Sequence, residues 1–168
     1  MFTPDYLFDT VYDISPEILQ SRGVCGVFLD IDNTLVSYDE SHPTPENIAW
    51  LQDLKNRGIT PFFVSNNHKE RVETFAKDLG IAFAFDAGKP STKAYRKLAD
   101  EAGIPIEKTV CIGDQLFTDV WSAHRLGVKC LVVKSIKPVK TAFFRFKTTL
   151  EKPFFALYKR KYPKGRSL

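Results

Sequence analysis

Residues 30–35, Asp30-Ile31-Asp32-Asn33-Thr34-Leu35, place two carboxylates two positions apart directly behind an apolar run at 24–29. An extended chain alternates its side chains, so Asp30 and Asp32 can leave the carboxyl end of a buried strand on the same side. Carboxylates crowded in that way repel one another unless positive charge lies between them, and a hard cation with oxygen ligands is the usual solution. The hexapeptide therefore suggests a metal-dependent site at a strand end.

The chain beyond it alternates two periodicities with clear punctuation. Thr44-Pro45 reads as an N-cap followed by proline in the first helical position, with Ile48, Leu51 and Leu54 on one face and Gly58 as the stop. Residues 59–65 then read as a buried strand, with Pro61 near its start. A helix over 68–79 turns Val72, Phe75, Ala76 and Leu79 inward, and 81–85 forms the next strand. A helix over 91–102 packs Ala94, Tyr95, Leu98 and Ala102. After it come a strand at 109–113, a helix over 118–126 and a fifth strand at 128–133. Such alternation predicts an α/β fold, a doubly wound, Rossmann-like five-stranded parallel sheet with helices on both faces. The stretch up to Gly23, with a short helix opening at Ser15-Pro16-Glu17, is expected to brace the sheet.

In an open sheet of this kind ligands bind beyond the carboxyl ends of the strands. Collecting the polar residues found there gives Asp30 and Asp32, then Ser65-Asn66-Asn67, Lys89, Asp114 and Asp119. Carboxylates, one lysine and a Ser-Asn-Asn turn suit a phosphorylated substrate held with Mg²⁺, which takes one or two carboxylates together with water and phosphate oxygens. Lys89 and backbone N–H groups near Ser65 would hold the remaining phosphate oxygens. Asn67 reads equally well as a substrate contact or as a turn residue. His42, His68 and His124 lack metal-ligand spacing and are expected at exposed helix and loop positions. Trp50 and Trp121 are expected to pack. Cys25, Cys111 and Cys130 lie in apolar runs with no CxxC spacing, and read as buried, reduced core residues.

These segments resemble the four motifs of the haloacid dehalogenase superfamily: residues 30–35, Ser65, Lys89-Pro90 and 113–119 occur in order, each after an expected strand. The resemblance spans roughly residues 24–133 and, within the superfamily, is nearest the small YqeG-type phosphatases of subclass IIIA, which are similar to mitochondrial phosphatidylglycerophosphate phosphatases. It implies a phosphoric monoester hydrolase in which Asp30 is the nucleophile and Asp32 the general acid and base. It further implies that Ser65, Asn66 and Lys89 bind phosphate, and that Asp30, the Asp32 carbonyl, Asp114 and Asp119 surround Mg²⁺, Asp119 through water. A carboxylate two residues after the nucleophile marks phosphohydrolases in that superfamily.

Many relatives insert a cap domain between these motifs. Here the loop between Leu35 and Pro45 is short, and only three residues separate Phe85 from Lys89. Neither gap can hold a folded cap. The expected architecture is a capless catalytic domain at 1–133 with an extension at 134–168. The site should be open, which suits a lipid headgroup, a protein, a nucleic-acid end or a metabolite covered by a partner subunit. Charge divides at the same place: residues 1–133 carry 13 basic and 19 acidic side chains, residues 134–168 carry 11 and 1. Val139, Phe143, Phe146 and Leu150 form one helical stripe in the extension, and Pro153 is expected to open a second short helix bearing Phe154, Leu157 and Tyr158. A basic amphipathic segment reads as an anionic-membrane surface, with packing on the domain or in an oligomer next, and nucleic acid a weaker option. Without a long apolar run or a leader pattern, the chain is expected in the cytoplasm, peripheral on the inner membrane face if the extension binds lipid. A non-catalytic membrane- or RNA-binding scaffold is the competing class, although it would need none of the motif residues.

Overall fold

The computed structural model describes residues 2–137, 142–162 and 168, the side chains of 142–148 excepted. Cap residues set where its helices begin. Ser15 Oγ accepts the Ile18 N–H at the head of α1 (Pro16–Ser21), and Thr44 and Asn47 exchange side-chain bonds at the head of α2 (Pro45–Asn56). Both helices carry proline at their start, where a missing N–H costs nothing. Next along the chain come α3 (Lys69–Ala76), α4 (Lys93–Glu101), α5 (Trp121–Leu126) and α6 (Ala142–Lys161).

The strands are β1 (Tyr6–Phe8), β2 (Gly26–Leu29), β3 (Thr60–Val64), β4 (Phe83–Ala84), β5 (Thr109–Gly113) and β6 (Lys129–Val133). They form a parallel sheet in the order β1-β6-β5-β2-β3-β4. The sheet thus has six strands rather than the expected five. The extra one lies in the N-terminal segment read as a brace: Tyr6, Leu7 and Phe8 pair with Leu131, Val132 and Val133 at one edge. Three residues are too few to show a period of two, so only the pairing defines this strand.

Period-two alternation distributes the core between both faces of the sheet. Val27 and Leu29 face Leu51 and Leu54 of α2 and Val72 and Phe75 of α3, whereas Phe28, Phe62 and Cys111 join Tyr95, Leu98 and Ala99 of α4 and Ala123 of α5. Helices cover both faces, as the periodicity predicted.

Local departures are informative. Ile48 is 46% exposed and Asn47 takes the buried place, because its amide donates to the Leu35 carbonyl (3.0 Å) and the Tyr12 hydroxyl (2.9 Å) while accepting from Thr44 N–H (2.9 Å). β4 is two residues instead of five, since only Phe83 and Ala84 find partners on β3. Ala102 is exposed just past α4, and Ala99 packs in its stead. The helix expected over 118–126 divides into a π-helical turn, Leu116–Val120, and α5. Cys111 and Cys130 are buried free thiols, but Cys25 precedes β2 and is partly exposed. His124 is not an exposed histidine: it is partly buried, with Nε2 3.0 Å from Asp5. Burial alone would raise the Asp5 pKa, yet bonds from His124, the Cys130 N–H and Lys129 bring it down to about 2.

The extension is also built differently from its expected form. α6 runs straight through Pro153 as one helix, with docking outweighing the local break. Phe154 and Phe155 pack on the α4–α5 side of the core, Tyr158 is buried, and the Glu151 carboxylate accepts the Leu116 N–H at 3.0 Å. Phe2, Phe117, Trp121 and Phe154 meet edge to face, with centroids 5.2–6.1 Å apart. Of the expected stripe, Val139 and the side chains of Phe143 and Phe146 lie outside the described residues, and Leu150 is exposed. No helix among the described residues is long and apolar enough to cross a membrane.

Candidate active site

Asp30 is placed by the sheet itself: its N–H donates to the Ile112 carbonyl at 3.0 Å, one step past the end of β2. Asn33 then takes the left-handed conformation (φ 64°) that asparagine tolerates better than most residues, and turns the chain back so that Asn33 N–H reaches the Val36 carbonyl at 2.7 Å. Thr34 Oγ1 lies 3.3 Å from Asp30 Oδ2. The turn leaves Asp30 nearly buried.

β5 delivers two more acids by a different device. Asp114 follows Gly113 directly, whereas Asp119 comes back to the strand through the π-helical turn. A Cβ on Gly113 would lie 2.3 Å from Asp119 Cγ, so only glycine permits this approach. Asp119 Oδ2 accepts the Gln115 N–H at 3.2 Å, and Asp114 Oδ2 accepts from Ser135 Oγ at 2.5 Å.

Lys89 reaches the same point from the loop after β4. Asn66 positions it, accepting its N–H at 2.7 Å and donating to its carbonyl at 3.2 Å. The Asn66 amide is therefore committed to the Lys89 backbone. Ser65, buried at the end of β3, accepts the Asn67 N–H through Oγ at 3.0 Å. Lys89 Nζ lies 2.5 Å from Asp30 Oδ1 and 2.7 Å from Asp119 Oδ1, with all three side chains buried.

Asp30, Asp114 and Asp119 each offer one oxygen within 4.8 Å of the others. With all three carboxylates ionised, the one ammonium would leave a double negative charge in this buried cluster, which one divalent cation would balance. Burial pushes Asp30 up to about 7, Asp119 and Asp32 adding to the shift and Lys89 opposing it. Burial, Asp30 and Asp119 likewise hold Asp114 well above the usual carboxylate range. Burial disfavours the charge on Lys89, but Asp119 and Asp30 prevail and keep its pKa well above the ordinary lysine value. Asp114 Oδ1 is buried with no hydrogen-bond partner among the described residues. An all-oxygen, net-anionic cluster with an orphaned carboxylate oxygen fits a hard divalent ion.

The Asp32 carboxylate stands outside that trio; the sequence reading assigns only its backbone carbonyl to the metal. Arg71 of α3 donates to its Oδ1 through Nε (3.1 Å) and Nη2 (2.8 Å), and Asn67 Nδ2 lies 3.2 Å from Oδ2. Sequence reasoning missed Arg71 and Ser135, and included Thr34 in the first motif without giving it a role. The rule of collecting polar residues past each strand, applied to β6, would have found Ser135. Nothing local marks Arg71, which meets Asp32 across 39 positions. The chain after Ser135 is tied to the β2 turn, the Ile136 and Lys137 N–H groups bonding to Asn33 at 3.1 and 3.3 Å.

Comparison with known proteins shows which family builds a parallel sheet with acids and a lysine converging past its strand ends. The family described as haloacid dehalogenase-like hydrolase matches residues 17–127. A Bacillus subtilis (strain 168) protein, "Probable phosphatase YqeG", is 37% identical over 160 residues, covering 95% of this chain and 93% of its own length. Among solved structures, the cobalt-bound deoxy-D-mannose-octulosonate 8-phosphate phosphatase (YrbI) of Haemophilus influenzae superposes with a TM-score of 0.53 at 16% identity, covering 83% of this chain and 94% of that one. A Legionella pneumophila chain described as a HAD superfamily (subfamily III A) hydrolase gives 0.54 at 20% identity, over 72% and 71% of the two chains. At such identities these two likenesses concern the fold. The chain belongs to the haloacid dehalogenase-like hydrolase family and is an enzyme of its phosphatase class.

Proposed function

We propose that the protein is a Mg²⁺-dependent phosphomonoesterase that works through an aspartyl-phosphate on Asp30. The observation carrying this reading is the buried arrangement in which Lys89 bridges Asp30 and Asp119 while Asp114 completes an acidic trio. Asp30, Asp114 and Asp119, with the Asp32 carbonyl, would hold the ion, which when bound supplies the positive charge that lets an anionic phosphoryl group approach carboxylates.

Asp30 attacks phosphorus, the bond to the leaving oxygen breaks with its electron pair, and Asp32 gives that oxygen a proton. Water then attacks the phosphorus, Asp32 takes its proton, and the Asp30–phosphorus bond breaks to release inorganic phosphate. Ser65 and the backbone N–H groups beside it bind phosphoryl oxygens. Lys89 balances charge between the nucleophile and the phosphate. Asn66 acts through Lys89, whose backbone it holds on both sides.

The ion has a signature in stability as well as in rate. Because the folded-state pKa of Asp30 is raised from 3.8 to about 7, the native protein binds that proton more tightly than the unfolded chain does. Without metal, this stability is present below pH 4 and is lost as pH rises to about 7; Asp114 shifts in the same direction. Saturating Mg²⁺ should therefore raise the melting temperature by about 5 °C more at pH 8 than at pH 5. EDTA should abolish hydrolysis of p-nitrophenyl phosphate. Equal thermal shifts at the two pH values, together with EDTA-resistant turnover, would remove the metal from this account.

Gaps between the motifs that are too short for a cap would favour a large phosphorylated substrate, and the reading extends to a phospholipid headgroup such as phosphatidylglycerophosphate at an anionic membrane surface. Support comes from the outward side of α6, where Leu150 and Leu157 are 46% and 55% exposed beside exposed Lys152, Lys159, Arg160 and Lys161. Phosphatidylglycerol-containing vesicles should sediment the full chain at low salt, whereas replacing Lys159 and Lys161 by glutamate should weaken binding at least about tenfold. Indifference to those replacements would assign the basic face to solvent.

A further inference from the structure

We propose that Arg71 is a positioning residue that sets the direction of the Asp32 carboxylate, an inference that rests on the reading of Asp32 as proton donor to the leaving oxygen. The alternation of an extended chain predicts that Asp32 and Asp30 point together, but in the fold the Asp32 carboxylate turns toward α3 and away from the acidic trio. Arg71 Nε and Nη2 both converge on Oδ1, at 3.1 and 2.8 Å. Oδ2 receives a longer bond, 3.2 Å, from the Asn67 amide, which also lies 3.3 Å from the Tyr38 hydroxyl.

These contacts do different work. The Arg71 and Asp32 side chains are only 11% and 12% exposed, so the pair is poorly screened by water and holds its geometry. Arginine carries five donors in a fixed planar fork. Here two donors share one oxygen, and Nη1 is buried with no partner among the described residues. Arg71 therefore pins Oδ1 as a pivot, and Oδ2 is the oxygen that can exchange its amide partner for the leaving group. For the chemical step Asp32 must first take up a proton from solvent on Oδ2 in place of the Asn67 bond. That proton passes to the leaving oxygen as the phosphorus–oxygen bond breaks with its electron pair on that oxygen, and Asp32 returns to the carboxylate paired with Arg71. Arg71 touches none of the reacting atoms.

Leaving-group dependence tests this, since p-nitrophenolate departs without a proton and the alkoxide of glycerol phosphate does not. Because Asp32 also serves the water step that both substrates share, the split is read in kcat/KM, which ends at departure of the leaving group. Arg71→Gln should lower kcat/KM on glycerol phosphate by about 100-fold and on p-nitrophenyl phosphate by less than about fivefold. Arg71→Lys, which keeps the charge but supplies a point donor, should show an intermediate split of about tenfold and carries the test if the glutamine variant does not fold. Asp32→Asn, run alongside, is the reference. If Asp32→Asn splits kcat/KM between the two substrates but the Arg71 variants lower kcat/KM on both alike or on neither, the positioning role is overturned. If Asp32→Asn itself shows no split, the acid assignment fails and takes this inference with it.

Discussion

Asp30→Asn should lower the turnover of p-nitrophenyl phosphate with Mg²⁺ by about 10⁴-fold or more, and the variant should melt no lower than the parent in metal-free buffer at pH 8. The two outcomes have one cause. Asp30 is the strand-end carboxylate nearest Lys89, and an amide there cannot form the covalent intermediate. Yet the folded protein already resists ionising Asp30, whose pKa burial and neighbouring acids push up to about 7. Replacing it with a neutral side chain of similar shape removes one of three crowded negative charges, while Lys89 keeps Asp119 as its partner at 2.7 Å. A catalytic residue is thus expected to be a stability liability above pH 7 when no ion is bound. Activity within tenfold of the parent would eliminate Asp30 as nucleophile, and a large drop in melting temperature at pH 8 would show that its charge is compensated in the metal-free state.

Lys89→Met should have the opposite effect on stability. The ammonium is buried between Asp30 and Asp119, so its removal leaves Asp30, Asp114 and Asp119 facing one another without a counter-charge. Breaking a buried pair from one side costs about 3–5 kcal/mol, which at this chain length is a fall of roughly 10 °C or more in melting temperature. The loss should be greatest at pH 8 without metal. It should shrink at pH 5, where raised carboxylate pKa values let the cluster take up protons, and with Mg²⁺. Phosphatase activity should fall by about 10³-fold or more even with metal, because the phosphate loses its buried cation. Melting curves at both pH values with and without Mg²⁺ check the pattern, and parental stability of the variant at pH 8 in EDTA would refute the charge account.

The alternation of strands and helices between β2 and β6 was legible because apolar spacing, proline at helix starts and glycine at helix ends are local signals. The same holds for most of the residues at the site: each is the polar residue just past a strand, and an open parallel sheet turns that into a place in space. Reading failed where the deciding contact was remote. Asn47 looks like a polar position beside Ile48, and its burial follows from acceptors and donors at Leu35 and Tyr12. Pro153 looks like a helix start, but α6 continues through it because Glu151 and Phe154 dock on the core. β1 is visible only as the partner of β6.

By itself the order of residues determined the class of fold and the chemical types delivered to one edge of the sheet, since both depend on periods of a few positions along the chain. Only the tertiary structure decided how those groups divide: Lys89 bridges Asp30 and Asp119, Asp114 bonds to Ser135, and Asp32 goes to Arg71. Which carboxylate meets which partner is settled by contacts between segments 21–59 positions apart. No local pattern encodes those meetings, because they exist only once burial has closed the loops between them.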